Sequence, residues 1–428
     1  MMSRTLSDWL SYFEQLHPSA IEMGLERSRT VFQSLGLGRL APRVVTVTGT
    51  NGKGSTCAFL AELLSEAGLR VGVYSSPHLL RYNERVVIEG CEVDDDTLCE
   101  AFSAVEAARG SVSLTYFEMG TLAAFWLFAR ARLDAVVLEV GLGGRLDAVN
   151  LVDADIALVT SIGLDHAEWL GNTRDSVAFE KAGIFRAERP AICGDLDPPA
   201  ILSEQARKLG TPLLRRGVEF DLALDQDCWH WRGVSSNGTA LTLQNLPLLP
   251  LPLENAALAL QAFASLNLVW VPEQVIQALG RTRVAGRLDR RQVRVAGKNI
   301  HLLLDVGHNP HAASYLARRL KERPLAGRRL AAFGLLSDKD LEGVVAPLVD
   351  TFEQWAVAAL PTPRSRQPSE LADVLQRHGA HVTIRCDMAE ALRWLVNLAS
   401  EDDEIVVFGS FYSVAEAMIW LKGQTQEE

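Results

Sequence analysis

The stretch Val44-Val-Thr-Val-Thr-Gly-Thr-Asn-Gly-Lys-Gly-Ser-Thr56 carries the strongest structural signal in this sequence. A β-branched run leads into a glycine-rich turn, then a lysine, two hydroxyl residues and an apolar helical segment. A strand ending in such a turn directs backbone N–H groups into one concavity, and the positive end of the following helix adds to its affinity for phosphate. In this pattern Lys53 reaches the terminal phosphates, and the Ser55 or Thr56 hydroxyl binds Mg²⁺. The sequence therefore predicts a nucleotide-binding strand–loop–helix unit.

The loop differs from the common P-loop pattern at two positions. That pattern has glycine where Val47 stands, and serine or threonine where Gly54 stands. The compact form Gly49-Thr-Asn-Gly-Lys-Gly-Ser55 resembles the ATP loop of the Mur-ligase superfamily. Glycine directly after the lysine is the form seen in the folylpolyglutamate synthase branch of that superfamily.

Composition narrows the class of protein. A chain of 428 residues with 48% hydrophobic content is long enough for two or more domains. The net charge of −11 and the pI near 5.4 argue against a nucleic-acid-binding surface, which needs a basic face. The six cysteines show no zinc spacing, so reduced thiols are the simplest account. No signal peptide or membrane-spanning run is evident. The sequence predicts a cytoplasmic protein that binds neither nucleic acid nor membranes.

Short β-branched runs alternate with helical patterns in both halves of the chain, which predicts βαβ units and mainly parallel sheets. Residues 212–252 break this rhythm and predict short antiparallel strands and loops at the edge of the first domain. The predicted strands are 44–48, 71–74, 135–140, 156–160, 190–193, 300–306, 330–335, 355–360, 381–384 and 404–408. The predicted helices are 55–67, 119–130, 174–184, 310–321, 341–350, 369–378 and 389–399.

The predicted fold class is α/β with two domains. Residues 1–284 form a P-loop-type domain, a mainly parallel sheet with helices on both faces, and residues 285–428 form a smaller Rossmann-like α/β domain. Two such domains joined by a short hinge suggest an active site in the cleft between them.

Two predicted strand ends bring polar side chains to the sheet edge where the phosphate loop lies. Glu139 ends an apolar strand, and a carboxylate there can hold Mg²⁺; an acid paired with a basic neighbour is the alternative. His166 follows the next strand in a segment that also offers Asp165 and Glu168. Because imidazole is a less usual Mg²⁺ ligand than oxygen, the residues alone leave the role of His166 open.

Two further side chains have several interpretations. Lys181 lies on a predicted helix that is apolar around it. Three interpretations are open. Lys181 is an exposed lysine whose stem lies along an apolar surface, or it donates positive charge to the site, or it is modified to a carbamate that supplies oxygen ligands. Ser76 is held extended by the proline that follows, which suits a presented ligand and an ordinary loop equally.

The second domain contains the motif Asp305-Val-Gly-His-Asn-Pro-His311 at a predicted strand end. Asn309 suits a helix N-cap and Pro310 the first helical position, so capping explains part of the motif. Asp305 and His308 need another explanation, and a strand-end aspartate commonly binds a ribose hydroxyl. At the hinge, Arg287 could reach the phosphates once the domains close.

In combination these motifs resemble the dihydrofolate synthase/folylpolyglutamate synthase family of the Mur-ligase superfamily. The resemblance extends along nearly the whole chain and is weakest in 195–250 and 345–400. The motifs that carry it are GTNGKGST (49–56), SSPHL (75–79), LTYFEMGTLAAF (114–125), LEVGLGGRLDAVN (138–150), SIGLDH (161–166), EKAGIFR (180–186) and DVGHNPH (305–311).

The resemblance implies roles for residues at matching positions. The residues implied to hold the ATP phosphates are Gly49, Thr50, Asn51, Gly52, Lys53, Gly54, Ser55, Thr56 and Arg287, and those implied to contact adenosine are Asn255, Asp305 and His308. The implied metal ligands are Ser76, Glu139, His166 and Lys181 as a carbamate. Of these, Lys53, Lys181, His166 and Arg287 would act in catalysis. Asn255 lacks the His-Gln pair often seen before it, which weakens its assignment to adenine.

Two segments resemble the pterin-binding parts of the bifunctional enzymes. The implied folate-binding residues are Ile21, Gly24 and Leu25 in the segment 17–27, Thr115 and Phe117 in the segment 114–118, and Asp147 in the loop after the Glu139 strand. The alternative is ordinary packing of their apolar side chains.

The implied function is an ATP-dependent ligase that adds L-glutamate to dihydropteroate and to the γ-carboxylate of reduced folates through an acyl phosphate. ATP and two Mg²⁺ ions are the implied cofactors, the need for a monovalent cation stays open, and a monomer is expected. A monofunctional folylpolyglutamate synthase is one alternative. A nucleotide-dependent switch ATPase is another, but it does not account for the motif at 305–311. A peptidoglycan-precursor Mur enzyme usually carries an additional N-terminal UDP-binding domain. The phosphate loop of this sequence begins too near residue 1 to leave room for such a domain.

Overall fold

The computed structural model of this chain describes residues 4–295 and 297–424. It contains two compact units, Met1–Thr282 and Arg283–Glu428. Each unit has its own mainly parallel sheet, and the first unit also contains a small antiparallel sheet.

The first unit alternates strands and helices as the sequence predicts. In chain order its elements are α1 (Leu6–Leu16), α2 (Glu26–Leu35), β1 (Arg43–Thr48), α3 (Lys53–Glu66), β2 (Val71–Tyr74), β3 (Val86–Ile88), β4 (Cys91–Glu92), α4 (Asp95–Arg109), α5 (Tyr116–Phe128), β5 (Ala135–Glu139), β6 (Ile156–Val159), α6 (Ala167–Leu170), α7 (Arg174–Ala182), β7 (Ala191–Cys193), α8 (Ala200–Leu209), β8 (Leu213–Arg215), β9 (Asp221–Leu224), β10 (Cys228–Val234), β11 (Ala240–Pro247), α9 (Leu253–Ser265) and α10 (Pro272–Arg281).

The eight-stranded sheet has the order β4-β3-β2-β5-β1-β6-β7-β8. Its strands are parallel from β2 to β8, whereas β3 and β4 extend the edge as an antiparallel hairpin. The central strands β1, β5 and β6 are almost completely buried, which suits their β-branched and leucine side chains. Because β1 lies between β5 and β6, the carboxyl ends of these three strands lie side by side, where loops of parallel sheets commonly build sites.

Residues 212–252 only partly follow the prediction. β9, β10 and β11 form a separate antiparallel sheet, as expected. The expectation is wrong for β8, which pairs in parallel with β7 and completes the large sheet. Three residues are too few to show a strand pattern, so only the neighbouring strand decides this pairing.

The second unit contains a six-stranded sheet in the order β12-β13-β17-β14-β15-β16. Only β12 is antiparallel, to β13, among the paired strands of this sheet in the described residues. Its elements are β12 (Asp289–Val295), β13 (Lys298–Asp305), α11 (Pro310–Lys321), β14 (Arg329–Phe333), α12 (Leu341–Val345), β15 (Gln354–Ala358), α13 (Pro368–Arg377), β16 (Val382–Arg385), α14 (Met388–Leu398), β17 (Glu404–Phe408) and α15 (Phe411–Gln424).

The predicted strands and helices match elements of the structure, mostly within one to three residues at each end; α12 ends five residues earlier than predicted. The helix α4 was not predicted, although Leu98, Ala101, Phe102 and Val105 form a buried stripe at helical spacing. Nor was β12, whose arginine-rich sequence lacks the apolar character of a central strand. Its position at the sheet edge explains that composition.

Candidate active site

The phosphate loop connects β1 to α3 in a conformation that only glycine adopts easily at two positions. Gly49 has φ +152° and Gly52 has φ +89°. A Cβ atom at Gly49 would lie 1.7 Å from the Thr160 Oγ1 atom, and one at Gly52 would lie 2.5 Å from the Asn255 Oδ1 atom. Glycine is therefore needed both for the turn and for the close approach of neighbouring segments.

The loop is fixed to the segment that follows β6. The Thr50 hydroxyl donates to the Gly163 carbonyl oxygen and accepts from the Gly163 N–H, each at 2.9 Å. The Thr160 and Ser161 hydroxyls donate to the Asn51 carbonyl oxygen at 2.6 and 3.1 Å. Thr160 and Ser161 were not predicted as site residues. They could have been found as two adjacent hydroxyl residues at the end of β6, the strand that pairs with β1.

The start of α3 has the features that a phosphate and its Mg²⁺ require. The Lys53 ammonium group donates to the carbonyl oxygens of Gly49 (3.0 Å) and Thr50 (3.5 Å), so the cation lies against the loop. The Thr56 Oγ1 atom is buried and has no hydrogen-bond partner among the described residues. A buried hydroxyl without a partner is costly, and an additional ligand would satisfy it.

Glu139 supplies a carboxylate next to this loop. It is the last residue of β5, pairs in register with Val47 of β1, and is only 5% exposed. Its Oε2 atom accepts a hydrogen bond from the Ser76 N–H at 3.2 Å and lies 3.8 Å from the position of a Cβ atom at Gly54. A carboxylate and nearby hydroxyls are oxygen donors of the kind that Mg²⁺ prefers, so these residues fit the predicted metal.

Lys181 lies in α7 and is 2% exposed. Close packing of α7 against the loop after β5 buries it. A Cβ atom at Gly144 would lie 2.9 Å from the Glu180 carbonyl oxygen, and one at Gly183 would lie 2.2 Å from the Arg145 Cβ atom. The two glycines therefore permit the approach that encloses the lysine. The interpretation of Lys181 as an exposed surface lysine is wrong.

Burial also changes the acid–base behaviour of this lysine. Desolvation lowers the pKa of Lys181 from 10.5 to about 7, and the positive charge of Lys53 acts in the same direction, whereas Asp165 opposes it. An amine with this pKa is neutral in a large fraction of molecules near pH 7. A neutral amine is the form that reacts with carbon dioxide, because the reaction uses the nitrogen lone pair.

His166 occupies an unusual backbone position. It immediately precedes α6 with φ +51°, and its ring is partly exposed beside Asp165, with 4.0 Å between the Nε2 and Oδ2 atoms. The Asp165 Oδ1 atom accepts from the His166 N–H at 2.9 Å. A non-glycine residue with positive φ is uncommon and points to a specific local requirement. Metal binding by His166 stays a prediction.

Asn255 contacts the phosphate loop. It lies in the first turn of α9, is 9% exposed, and its amide group packs directly on Gly52. α9 in turn packs along α3. This position is next to the predicted phosphate site, whereas the predicted contact of Asn255 with adenosine stays a prediction.

Two of the predicted folate-binding residues lie beside the loop after β5. The Phe117 ring lies on Gly141, where a Cβ atom would come within 2.6 Å of the Phe117 Cζ atom. The Asp147 carboxylate accepts hydrogen bonds from the N–H groups of Leu142 (2.8 Å) and Val149 (2.9 Å). Burial raises the pKa of Asp147 to about 6, against the effect of these bonds. Asp147 therefore has a structural role in holding this loop, whatever ligand it meets.

Thr115 has a clear structural role as well. Its hydroxyl caps α5 by accepting from the Glu118 N–H at 3.2 Å, while Glu118 accepts from the Thr115 N–H at 2.7 Å. Glu118 also accepts from Ser28 (2.8 Å) and Arg27 (3.1 Å), which fixes the segment 17–27 to the start of α5.

The remaining residues of the segment 17–27 differ in exposure. Ile21 is 40% exposed and Leu25 is 9% exposed. Gly24 has φ +155°. The Met23 Cε atom lies 3.6 Å from the position of a Cβ atom at Gly143, so this segment reaches the glycine-rich loop after β5.

In the second unit, the predicted residues cluster where β13 and β17 end. The Asp305 carboxylate accepts from the N–H groups of Leu288 (2.9 Å) and Gly307 (2.8 Å), and burial raises its pKa. The ring centroids of His308 and Phe411 are 6.2 Å apart, and the Arg287 guanidinium lies over the Phe411 ring at 5.2 Å. As predicted, the next helix begins with an asparagine N-cap followed by proline.

Among the helices of the described residues, none is long and apolar enough to cross a membrane.

The sheet topology and the glycine-rich phosphate loop are those expected of a Mur ligase, and sequence models of this class match both units. The sequence model of the Mur ligase middle domain matches residues 47–219, and that of the Mur ligase glutamate ligase domain matches residues 286–411.

Whole-chain relatives define the family more closely. The chain is 45% identical to a dihydrofolate synthase/folylpolyglutamate synthase of Escherichia coli, over 96% of this chain and 94% of the relative. It is 40% identical to the synthase of that name from Haemophilus influenzae, over 96% of each chain. The chain belongs to the dihydrofolate synthase/folylpolyglutamate synthase family of Mur ligases.

Solved structures agree with this assignment. E. coli FolC in complex with DHPP and ADP matches with a TM-score of 0.92 and 43% identity, covering 99% of each chain. A bifunctional folylpolyglutamate synthase/dihydrofolate synthase with Mn, AMPPNP and L-glutamate bound matches with a TM-score of 0.88 and 44% identity, covering 98% of each chain. The predicted family, fold class and enzyme class, an ATP-dependent ligase, are confirmed, and the relatives from E. coli and H. influenzae carry the name of a bifunctional synthase.

Proposed function

We propose that this chain uses ATP to join L-glutamate to dihydropteroate and to the γ-carboxylate of reduced folates. The observation that carries the proposal is the grouping of the phosphate loop and Glu139 at one sheet edge, within electrostatic reach of the buried Lys181. The 45% identity to a bifunctional synthase over nearly the whole chain supports both substrates.

The chemistry follows from the weak reactivity of a carboxylate toward amines. The pteroate or γ-glutamyl carboxylate attacks the γ-phosphorus of ATP, which gives an acyl phosphate and releases ADP. The glutamate amine then attacks the acyl carbon, an amide bond forms, and inorganic phosphate leaves with the former C–O bond electrons. The amine proton goes to solvent or a nearby base. Such reactions depend mainly on placement and on neutralising phosphate charge.

In this scheme the loop residues 49–56 bind the phosphates through backbone N–H groups, and Lys53 neutralises the γ-phosphate. Glu139, Ser76 and His166 would hold Mg²⁺, which would supply further charge neutralisation, and carbamylated Lys181 would help to hold a second ion. Manganese in a similar synthase with AMPPNP and L-glutamate supports a divalent ion with the nucleotide. The second ion, the monovalent cation and the contact of Arg287 with phosphate stay predictions, as do the monomeric state and the cytoplasmic location.

Mass spectrometry of the products tests the proposal directly. Incubation with dihydropteroate, L-glutamate and ATP is expected to give dihydrofolate, and incubation with tetrahydrofolate is expected to give its glutamylated forms. ATP consumption should require both the pterin acid and glutamate. Use of tetrahydrofolate alone would instead indicate a monofunctional folylpolyglutamate synthase. ATP hydrolysis that ignores both acids would indicate a nucleotide-dependent switch.

Phe117→Leu is expected to reduce turnover of dihydropteroate more than turnover of tetrahydrofolate. The reacting carboxylate lies farther from the pterin in the longer substrate, so the two substrates need different pterin positions. The Phe117 ring borders the glycine-rich loop after β5, and we expect it to anchor one of those positions. Steady-state kcat/KM for both substrates measures the difference. The matched control is Phe125→Leu, which removes similar volume from the fully buried side of the same helix.

Equal losses for both substrates in Phe117→Leu would show a single shared pterin pocket. Substitution of Asp147 is also predicted to reduce turnover of dihydropteroate more than turnover of tetrahydrofolate. It is a less selective probe, because replacing it also removes the acceptor of two backbone N–H groups in the loop after β5.

A further inference from the structure

A polar cavity lies in the second unit, away from the end of the sheet that carries Asp305. Its volume is about 450 Å³, and its charged and imidazole lining comes from Arg290, Arg291, His301, Arg323, Asp402 and Glu404. Glu404 begins β17, whereas Asp305 pairs with Phe408 at the other end of that strand. Four residues of a strand separate the two ends by roughly 13 Å. The cavity is therefore distinct from the predicted nucleotide contacts.

Arginine side chains around this cavity compete for one buried carboxylate. The Glu404 side chain is 4% exposed and pairs with Arg329 at 3.2 Å and with Arg290 at 3.6 Å. Arg323 lines the cavity, is exposed, and has no ion pair among residues 4–295 and 297–424. Asp402 also lines the cavity, whereas Arg291 is neutralised by Asp289 at 2.7 Å. Positive charge at Arg290 and Arg323 is thus only partly compensated.

The environment of Arg290 is unfavourable for its charge. Its Nε atom is buried and makes no hydrogen bond in the described part of the chain, because its ion pair with the Glu404 Oε1 atom, at 3.6 Å, is too long for one. Burial lowers the pKa of Arg290, and the nearby charges of Arg323, Arg319 and Arg329 act in the same direction, while Glu404 opposes them. A buried donor that makes no hydrogen bond and a set of like charges each cost free energy, and a bound anion would relieve both.

We propose that this cavity binds a phosphoryl group, either as inorganic phosphate or as part of a small phosphorylated molecule, between Arg290 and Arg323. A dianion carries two negative charges and can pair with Arg290 and Arg323 together, whereas Glu404 is shared between Arg290 and Arg329. The planar guanidinium group matches the oxygens of phosphate with paired hydrogen bonds. The cavity is larger than one phosphate ion needs, so it has room for an attached organic group. This proposal does not depend on the ligase activity.

Calorimetry and thermal unfolding of the full chain test the proposal. The protein is saturated with AMPPNP and Mg²⁺, which keeps added phosphate away from the phosphate loop. Inorganic phosphate is then compared with chloride at equal ionic strength. Wild-type protein is expected to bind one phosphate per chain and to unfold at a higher temperature in its presence. Arg323→Gln is expected to weaken binding by about tenfold or more.

Arg377→Gln is the matched control, because Arg377 is an exposed arginine of the same unit whose side chain is 70% exposed and lies outside the cavity. It should bind phosphate like the wild type. Arg290→Gln removes a repelled charge but also one of the two arginine partners of the buried Glu404, and phosphate should no longer raise the unfolding temperature of this variant. Arg323→Gln keeps the test valid if Arg290→Gln folds poorly.

Two results would overturn the proposal. One is wild-type protein that responds to phosphate no more than to chloride. The other is Arg377→Gln weakening binding as much as Arg323→Gln, which would show a general effect of net charge. Comparison with glycerol phosphate identifies the source of the phosphoryl group. Tighter binding of glycerol phosphate indicates a phosphorylated metabolite, and tighter binding of the inorganic ion indicates free phosphate.

Discussion

Lys53→Ala is expected to lower the rate of ligation by about 100-fold or more while the protein stays folded. In the proposed mechanism, Lys53 supplies the cation that neutralises the phosphoryl group as it moves to the carboxylate. Removal of such a charge acts mainly on the transition state, because negative charge on the transferring group must be stabilised there. Single-turnover formation of dihydrofolate, measured at saturating ATP, separates this effect from weaker nucleotide binding.

The fold should tolerate this change, because Lys53 is half-buried and, within residues 4–295 and 297–424, donates only to two loop carbonyl oxygens. Hydrogen bonds of this kind contribute about 1 kcal/mol each, which corresponds to a shift of roughly 2–4 °C in Tm for a unit of this size. Lys208→Ala, at an exposed lysine of α8, is the control for loss of one charge. A folded Lys53→Ala protein with near-normal turnover would disprove the role of the phosphate loop in catalysis.

Lys181→Ala is expected to be nearly inactive and to recover part of its activity when a short carboxylic acid is added. We expect Lys181 to carry a carbamate, formed when the neutral amine attacks carbon dioxide, an N–C bond forms and one proton is released. The product has two oxygens and one negative charge, which suits a site for Mg²⁺. The added acid replaces those oxygens in the space that the truncated side chain leaves.

Lys53→Ala is the control for rescue, since a carboxylic acid cannot replace a lost cation. Lys181→Met tests the fold, because methionine fills most of the buried volume without the amine. Its Tm should equal or exceed that of the wild type, because it removes a charge that burial disfavours. Rescue of both alanine variants by the same acid would show a non-specific effect and count against a carbamate.

The acidity of Lys181 gives this prediction a pH dependence. Its pKa is lowered to about 7, so the reactive neutral form predominates above that pH and is lost as the pH falls below it. Carbamate content, and with it activity, should therefore decline as the pH falls below the pKa of Lys181. Activity should recover slowly when the pH is raised again and bicarbonate is added. Carbon-13 NMR with labelled bicarbonate should show a carbamate signal in the wild type and none in Lys181→Met. An active wild type without that signal would rule out the carbamate.

Much of the fold was predictable from local sequence. The run at 44–48 became β1 and the glycine-rich turn became the phosphate loop, because β-branched residues favour buried strands and glycine permits the turn. The end of β5 at Glu139 was also predictable, since a charged residue ends an apolar run. Elements with mixed composition, such as α4 and β12, were not predicted, even though α4 carries a stripe of apolar residues at helical spacing.

The roles of individual site residues depended on tertiary structure. Thr115 and Asp147 looked like ligand residues in the sequence, yet the fold gives each of them backbone hydrogen bonds to satisfy. Thr160 and Ser161 looked unremarkable, yet they fix the phosphate loop through Asn51. The contacts of Thr160 and Ser161 with Asn51 join residues about a hundred positions apart, so no local pattern records them, whereas those of Thr115 and Asp147 are local.

By itself, the sequence determined the nucleotide-binding loop, the two α/β domains and the family, because these depend on periodicity and on motifs of adjacent residues. Only the tertiary structure decided that Lys181 is buried and has a lowered pKa. The reason is physical: desolvation depends on every segment that packs around a charge. Here it results from the close approach of α7 to the loop after β5, which Gly144 and Gly183 allow.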